Sequence, residues 1–115
     1  MNPSSPFLQL TPTDRSFPME LRELSPSVDE IWVRGDESML ARMPRVALVG
    51  SRSPTPYGLE QARRLSRGLA RAGVVVVSGL ARGIDQASHA AALDAGGATI
   101  AVVGSGLDRL WPRGP

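Results

Sequence analysis

Residues 46–58, VALVGSRSPTPYG, place an apolar run, a glycine and a polar loop in direct succession. A continuous apolar run such as residues 46–49 is typical of a parallel strand buried between helices, because both of its faces are covered. The pattern returns at residues 74–79, VVVVSG, and at residues 99–104, TIAVVG. Three strands that each end in a loop of small residues predict an α/β fold with a parallel sheet, built as a βαβαβ core over residues 45–115.

Two segments with helical periodicity separate these strands. In the first, apolar residues recur at helical spacing, arginines take the other faces, and Gly73 ends the helix. The apolar positions are Leu59, Ala62, Leu65, Leu69 and Ala70, and the arginines are Arg63, Arg64, Arg67 and Arg71. A second helix is expected from about Ile84 to Ala95, where alanines allow close packing on the sheet.

The N-terminal part of the chain is less regular. Residues 1–16 contain scattered prolines and no period, so they are expected to be disordered or extended. Residues 17–44 predict a layer of one short helix and one strand, the strand at residues 30–34. Asp36 is placed to cap a further helix that runs to Met43.

The composition limits the classes of protein to which the chain can belong. It has no cysteine, which excludes disulfides, thiolate metal sites and a cysteine nucleophile and favours a cytoplasmic location. No apolar run approaches the roughly 18 residues of a transmembrane helix, so no membrane partner is expected. The net charge is −4 over residues 1–40 and +6 over residues 41–115, and every basic residue is an arginine. An anionic partner is therefore favoured, with simple solvation as the alternative for any single arginine.

The loops after the three strands form the candidate site, because the carboxyl ends of parallel strands meet at one edge of the sheet. Glycines, hydroxyls and arginines stand there just before helix N-termini, a combination that binds anions. The candidate residues are Gly50, Ser51, Arg52, Ser53, Tyr57 and Gly58 in the first loop, Ser78, Gly79, Arg82, Gly83 and Asp85 in the second, and Gly104, Ser105 and Gly106 in the third. Arg52 and Arg82 together predict a basic groove for consecutive phosphates of a strand, whereas one such loop would suit a single nucleotide.

Several of these residues have more than one interpretation. Tyr57 can stack on a base or anchor its loop against the sheet. Asp85 can complement the dipole of the second helix, accept a bond from a base or ribose, or orient Arg82. His89 follows Asp85 by one helical turn, but no nucleophile is marked nearby, so catalysis is not expected. Neither a Gly-x-Gly-x-x-Gly nor a P-loop pattern occurs, and no cofactor or metal is predicted.

Three stretches together resemble the DprA/Smf (DNA processing protein A) family: VALVGSRSPTPYG at 46–58, SGLARGIDQASH at 78–89 and GSGLDRLWP at 104–112. The resemblance covers roughly residues 15–112 and implies the N-terminal part of a Rossmann-like, three-layer α/β domain. It further implies sequence-independent binding of single-stranded DNA, protection of incoming DNA during natural transformation, and loading of the recombinase RecA. By the same resemblance, Arg52 matches the family's phosphate-contacting arginine, and Arg82 falls at a DNA-contacting basic position.

The family's pattern continues past the Trp-Pro segment at residues 111–112, whereas this sequence stops at Pro115. The resemblance places the family's homodimer and RecA surfaces largely in that later part, so neither interaction is expected of this chain, which we expect to be a truncated form or a partial gene product. The competing hypothesis is an enzyme similar to the nucleoside-monophosphate phosphoribohydrolases, or a small-nucleotide-binding module. Residues 96–99, GGAT, do not match the Gly-Gly-x-Gly-Thr loop of those enzymes and precede a strand, which favours a non-enzymatic function.

Overall fold

The computed structural model describes residues 7–104, and the chain divides into two compact units after Arg42. In the first unit, strand β1 (Phe7–Leu10) pairs antiparallel with strand β2 (Ile31–Arg34), and helix α1 (Met19–Arg22) lies between them in sequence. Phe17, just before α1, is buried, and the guanidinium of Arg22 lies 5.9 Å from the centre of its ring. This aromatic contact helps to hold α1 in place.

Strand β1 lies in the segment that is predicted to be disordered or extended. Residues 7–10 are extended, but they are also paired along their whole length, with Leu10 opposite Ile31. Leu10 is buried, although the residues before it on the strand are more exposed. The pairing partner lies far along the chain, so no local pattern could reveal this strand.

Asp36 caps a short 3-10 helix, Glu37–Ala41, as predicted. Its carboxylate accepts hydrogen bonds from the hydroxyl of Ser38 at 2.7 Å and from the amide of Ser38 at 3.0 Å. These two bonds, the hydroxyl first, lower the pKa of Asp36 from its ordinary value. The predicted extension to Met43 is wrong, because Pro44 disfavours helical backbone at the residue before it.

The second unit contains the predicted parallel sheet and its two crossover helices. Its elements are β3 (Arg45–Ala47), helix α2 (Pro56–Arg71), β4 (Val75–Ser78), helix α3 (Ile84–Asp94) and β5 (Thr99–Ala101). The strands run in the order β3-β4-β5, and both pairings are parallel. Ala70, Val76 and Ala92 form the buried core where both helices meet the central strand.

Helix α2 ends before Gly73, as predicted, but it begins at Pro56, so Tyr57 and Gly58 belong to the helix rather than to the first loop. The Thr55 hydroxyl accepts a hydrogen bond from the Gly58 amide at 3.0 Å, and Pro56 occupies the first helical position, where its missing amide costs nothing. Gly73 follows the helix with a φ of +82°, a conformation that L side chains rarely adopt. On the buried face, the Ser66 hydroxyl donates to the carbonyl oxygen of Ser88, which joins α2 to α3.

Two packing expectations are wrong. The first predicted strand is not covered on both faces, since Val46 on β3 is 38% exposed and Val49, just beyond the strand, is 77% exposed. Leu65 is 56% exposed rather than part of the core. Burial on both faces is found in β4, where Val75 and Val76 are both fully buried because this strand is central.

Candidate functional site

The loops after β3 and β4 pack against each other at the carboxyl edge of the sheet, as predicted. The backbone amide of Ile84, the first residue of α3, donates to the carbonyl oxygen of Ser51 at 3.2 Å. A Cβ on Gly50 would lie 2.7 Å from the side chain of Ile84. The first loop can therefore approach the start of α3 only because residue 50 is a glycine.

Gly83 lies at a contact between the two loops. It has a φ of +85°, and a Cβ at this position would lie 2.5 Å from the carbonyl oxygen of Ser51 and 3.0 Å from that of Arg52. Both a left-handed backbone and the absence of a side chain are required here. Arg52 and Arg82 are thus carried on loops in direct contact, and both residues are exposed.

Hydrogen bonds within the first loop decide which of its groups face outward. The Ser51 hydroxyl accepts from the amide of Ser53 at 2.9 Å, which closes a tight turn around Arg52. The Gly58 amide is used by the Thr55 cap, so it supports the helix start rather than offering a free donor. Thr55 is absent from the predicted site, although a threonine before a proline at a helix start signals a cap.

Tyr57 lies in the first turn of α2 and is 74% exposed. A tyrosine that anchored the loop against the sheet would have its ring buried. Of the two interpretations that the sequence leaves open, the structure therefore favours a ring that is accessible to a ligand.

In the second loop, Ser78 and Gly79 are structural. Ser78 is buried, and its hydroxyl donates to the carbonyl oxygen of Leu48, which ties the end of β4 to the chain leaving β3. A Cβ on Gly79 would lie 2.7 Å from a carboxylate oxygen of Asp85. Both residues lie at the predicted edge, but their contacts are with other parts of the protein and hold the loop in its conformation.

Asp85 is 8% exposed, and one of its carboxylate oxygens, Oδ1, is buried without a hydrogen-bond partner. The residue occupies the first turn of α3, where a negative charge complements the helix dipole. Such a carboxylate also repels a phosphate from this helix end. The α2 side of the edge, with Arg52, is therefore the better place for an anion.

The ring of His89 contacts both the second loop and β5. Its Nε2 lies 2.7 Å from the carbonyl oxygen of Gly79, and its Nδ1 lies 2.5 Å from the hydroxyl of Thr99. That hydroxyl in turn donates to the carbonyl oxygen of Val76 at 2.8 Å. Both ring nitrogens are engaged with groups other than Asp85, so the Asp-His relay that the spacing allows is not formed.

The third loop is described only at its start, where Gly104 is exposed. Ser105 and Gly106, the other predicted site residues there, lie outside the described residues.

Within residues 7–104, no group of three His, Cys, Asp or Glu side chains is placed to share a metal ion. The same residues include no helix long and apolar enough to cross a membrane.

Comparison with known proteins gives consistent matches over nearly the whole chain. Residues 9–114 match the family model for DNA recombination-mediator protein A. The DNA processing protein DprA of Streptococcus pneumoniae is 41% identical over 100 residues, which are 87% of this chain and 35% of that protein. Protein Smf of Escherichia coli is 40% identical over 105 residues, 90% of this chain and 28% of that protein.

Two solved structures are similar in fold. The X-ray structure of Streptococcus pneumoniae DprA has a TM-score of 0.85 at 39% identity and covers 93% of this chain and 37% of its own. DNA processing protein A of Helicobacter pylori, whose structure gives insight into a unique single-stranded DNA binding mode, has a TM-score of 0.80 at 31% identity. That match covers 93% of this chain and 46% of the Helicobacter chain. The present chain thus spans between about a quarter and a half of the length of these relatives.

Proposed function

The chain belongs to the DNA recombination-mediator protein A family, and from this premise we propose that it binds single-stranded DNA, without sequence preference, at the carboxyl edge of its parallel sheet. The observation that carries the proposal is the contact between two arginine-bearing loops at Gly83. It brings Arg52 and Arg82 to one edge, as a strand with regularly spaced phosphates requires. The single-stranded DNA binding of the Helicobacter pylori relative supports the same choice of ligand.

The chemistry of the edge suits a nucleic-acid backbone more than one particular base. The exposed guanidinium of Arg52 can form paired hydrogen bonds to a phosphate, and the exposed ring of Tyr57 can stack on any base. Asp85 occupies the first turn of α3, so the phosphates of a bound strand are expected to lie nearer Arg52, on the α2 side of the edge. These features predict binding that depends on salt far more than on sequence.

We propose a binding function rather than an enzymatic one. His89 is the one histidine of the chain, and its ring is engaged by Gly79 and Thr99 instead of being presented to a substrate. A nucleoside-monophosphate phosphoribohydrolase would release adenine from AMP, which chromatography detects directly. We expect no release.

The wider role proposed for the protein follows its family. We propose that the full-length protein acts in the cytoplasm, protects incoming single-stranded DNA during natural transformation, and passes it to RecA. The chain spans 35% or less of the curated relatives described above. Homodimerisation and RecA binding are therefore proposed for the longer protein, and DNA binding alone for these residues.

The direct experiment is fluorescence anisotropy of a short labelled oligo-dT across a salt series. Two arginine contacts to phosphates predict that the logarithm of the binding constant falls with the logarithm of salt concentration with a slope of about −1.4 or steeper. Each neutralised phosphate of a single strand contributes roughly −0.7 to this slope. Oligomers of other sequence should bind with similar affinity. A slope near zero, or equal affinity for a mononucleotide, would contradict a site for a polymer.

A further inference from the structure

The outward face of α2 carries a row of arginines that the candidate site does not use. Arg63, Arg67 and Arg71 recur every four residues, and Arg64 lies beside them. Arg63, Arg64 and Arg71 are exposed, and Arg67 is partly buried. We call Arg63, Arg67 and Arg71 the α2 arginine row.

The row is nearly parallel to the helix axis. Four residues advance an α-helix by about 6 Å and rotate it by only about 40°, so the three side chains share one face. Ala62, Ser66 and Ala70, which each precede a member of the row by one residue and so lie about 100° round the helix from it, form the buried stripe of α2. The row therefore runs along the flank of the helix beside that stripe, with Arg63 and Arg71 exposed, and its spacing is close to that of neighbouring phosphates along an extended strand.

The row is continuous with the candidate site. Tyr57, exposed in the first turn of α2, lies on the edge of the same face, and Arg52 precedes the helix by four residues. From Tyr57 to Arg71 the helix advances about 21 Å, away from the carboxyl edge of the sheet. Glu60 is the acidic residue of α2, so this face is predominantly basic. Arginines four residues apart repel each other, and an aligned polyanion would relieve that repulsion.

We propose that the α2 arginine row extends the nucleic-acid path, so that a bound strand leaves the loop site and follows α2 with its phosphates against Arg63, Arg67 and Arg71. This inference rests on the proposed function of the loop site and adds a direction and a minimum length to the bound strand. A membrane surface fits the row less well, because a helix that lies on lipid exposes an apolar face beside its basic one. The apolar face of α2 is already buried against the sheet and α3.

The test compares two paired variants on two lengths of DNA. Arg67→Gln with Arg71→Gln removes the end of the row farthest from the loops, and glutamine preserves helix propensity. Arg34→Gln with Arg42→Gln removes the same charge from exposed positions outside the second unit. Labelled oligo-dT of about 4 and about 20 nucleotides distinguishes the loop site from the extended path.

For the longer oligomer, the α2 pair should flatten the log–log salt slope by about 1.4, because two phosphate contacts are lost. Binding should also weaken several-fold. Binding of the short oligomer should not change, and the control pair should change neither the long-oligomer slope nor short-oligomer binding.

If the α2 pair leaves the long-oligomer slope unchanged, or if the control pair flattens it equally, the row is not part of the path. In that case, retained short-oligomer binding still upholds the loop site. If the wild type binds neither oligomer, the proposed function itself fails. Loss of binding to anionic vesicles, with DNA binding intact, would assign the row to a membrane instead.

Discussion

Gly83→Ala is expected to lower the free energy of unfolding by about 3 kcal/mol, the largest stability effect that we expect from one added methyl group in this chain. Two effects add. The backbone at Gly83 has a φ of +85°, and the new Cβ would lie 2.5 Å from the carbonyl oxygen of Ser51. That oxygen belongs to the backbone of the first loop, which also receives the amide of Ile84, so it cannot move without breaking a hydrogen bond.

Gly73→Ala provides a matched control. Gly73 has nearly the same φ, +82°, but a Cβ there would meet nothing within 4 Å. Gly73→Ala should therefore lower the free energy of unfolding by the backbone strain alone, about 1 kcal/mol. Urea denaturation of both variants measures the difference. Equal destabilisation would show that the two loops do not approach each other as closely as described.

Arg52→Glu is expected to weaken binding of a short oligo-dT by more than tenfold at low salt. The substitution removes one phosphate contact and places a carboxylate where the strand passes, and a tenfold loss corresponds to about 1.4 kcal/mol. The log–log salt slope should also flatten by at least about 0.7. The side chain is exposed, so stability should change by no more than about 0.5 kcal/mol.

Arg34→Glu makes the same change in net charge at an exposed position on β2. If long-range charge alone governed affinity, the two variants would bind DNA equally weakly. Specific contact at the loop predicts that Arg34→Glu binds nearly as well as the wild type, because Arg34 lies on β2 and belongs to neither of the two contacting loops. Equal losses would remove Arg52 from the site.

The local sequence predicts much of the second unit, because its signals are short-range. Apolar runs ending in glycine locate β3, β4 and β5 to within two residues, and Gly73 marks the end of α2. The start of α2 is predicted too late, because Tyr57 and Gly58 are assigned to the loop whereas the helix begins at Pro56. The convergence of the loops follows from parallel topology alone. Their close contact at Gly83 is not predicted, because the sequence marks this glycine only as part of an anion-binding loop.

Long-range features could not be predicted from local pattern. Strand β1 is stabilised by pairing with β2, which no local period encodes. Ser78 resembles a phosphate ligand in sequence, but its hydroxyl is directed to the carbonyl oxygen of Leu48 on the neighbouring strand. The spacing of His89 likewise allows a contact with Asp85, yet the nitrogens of its ring lie within hydrogen-bond distance of Gly79 and Thr99. Each case depends on which partner tertiary packing brings near.

NMR can map the DNA-binding surface directly, by following the backbone amide shifts of the ¹⁵N-labelled chain during titration with a short oligo-dT. A binding site at the two contacting loops predicts that the largest shifts occur together at residues 50–53 and 79–83, with smaller shifts at the first turn of α2. Shifts confined to residues 7–42, or shifts that leave both loops unchanged while DNA binds, would contradict it.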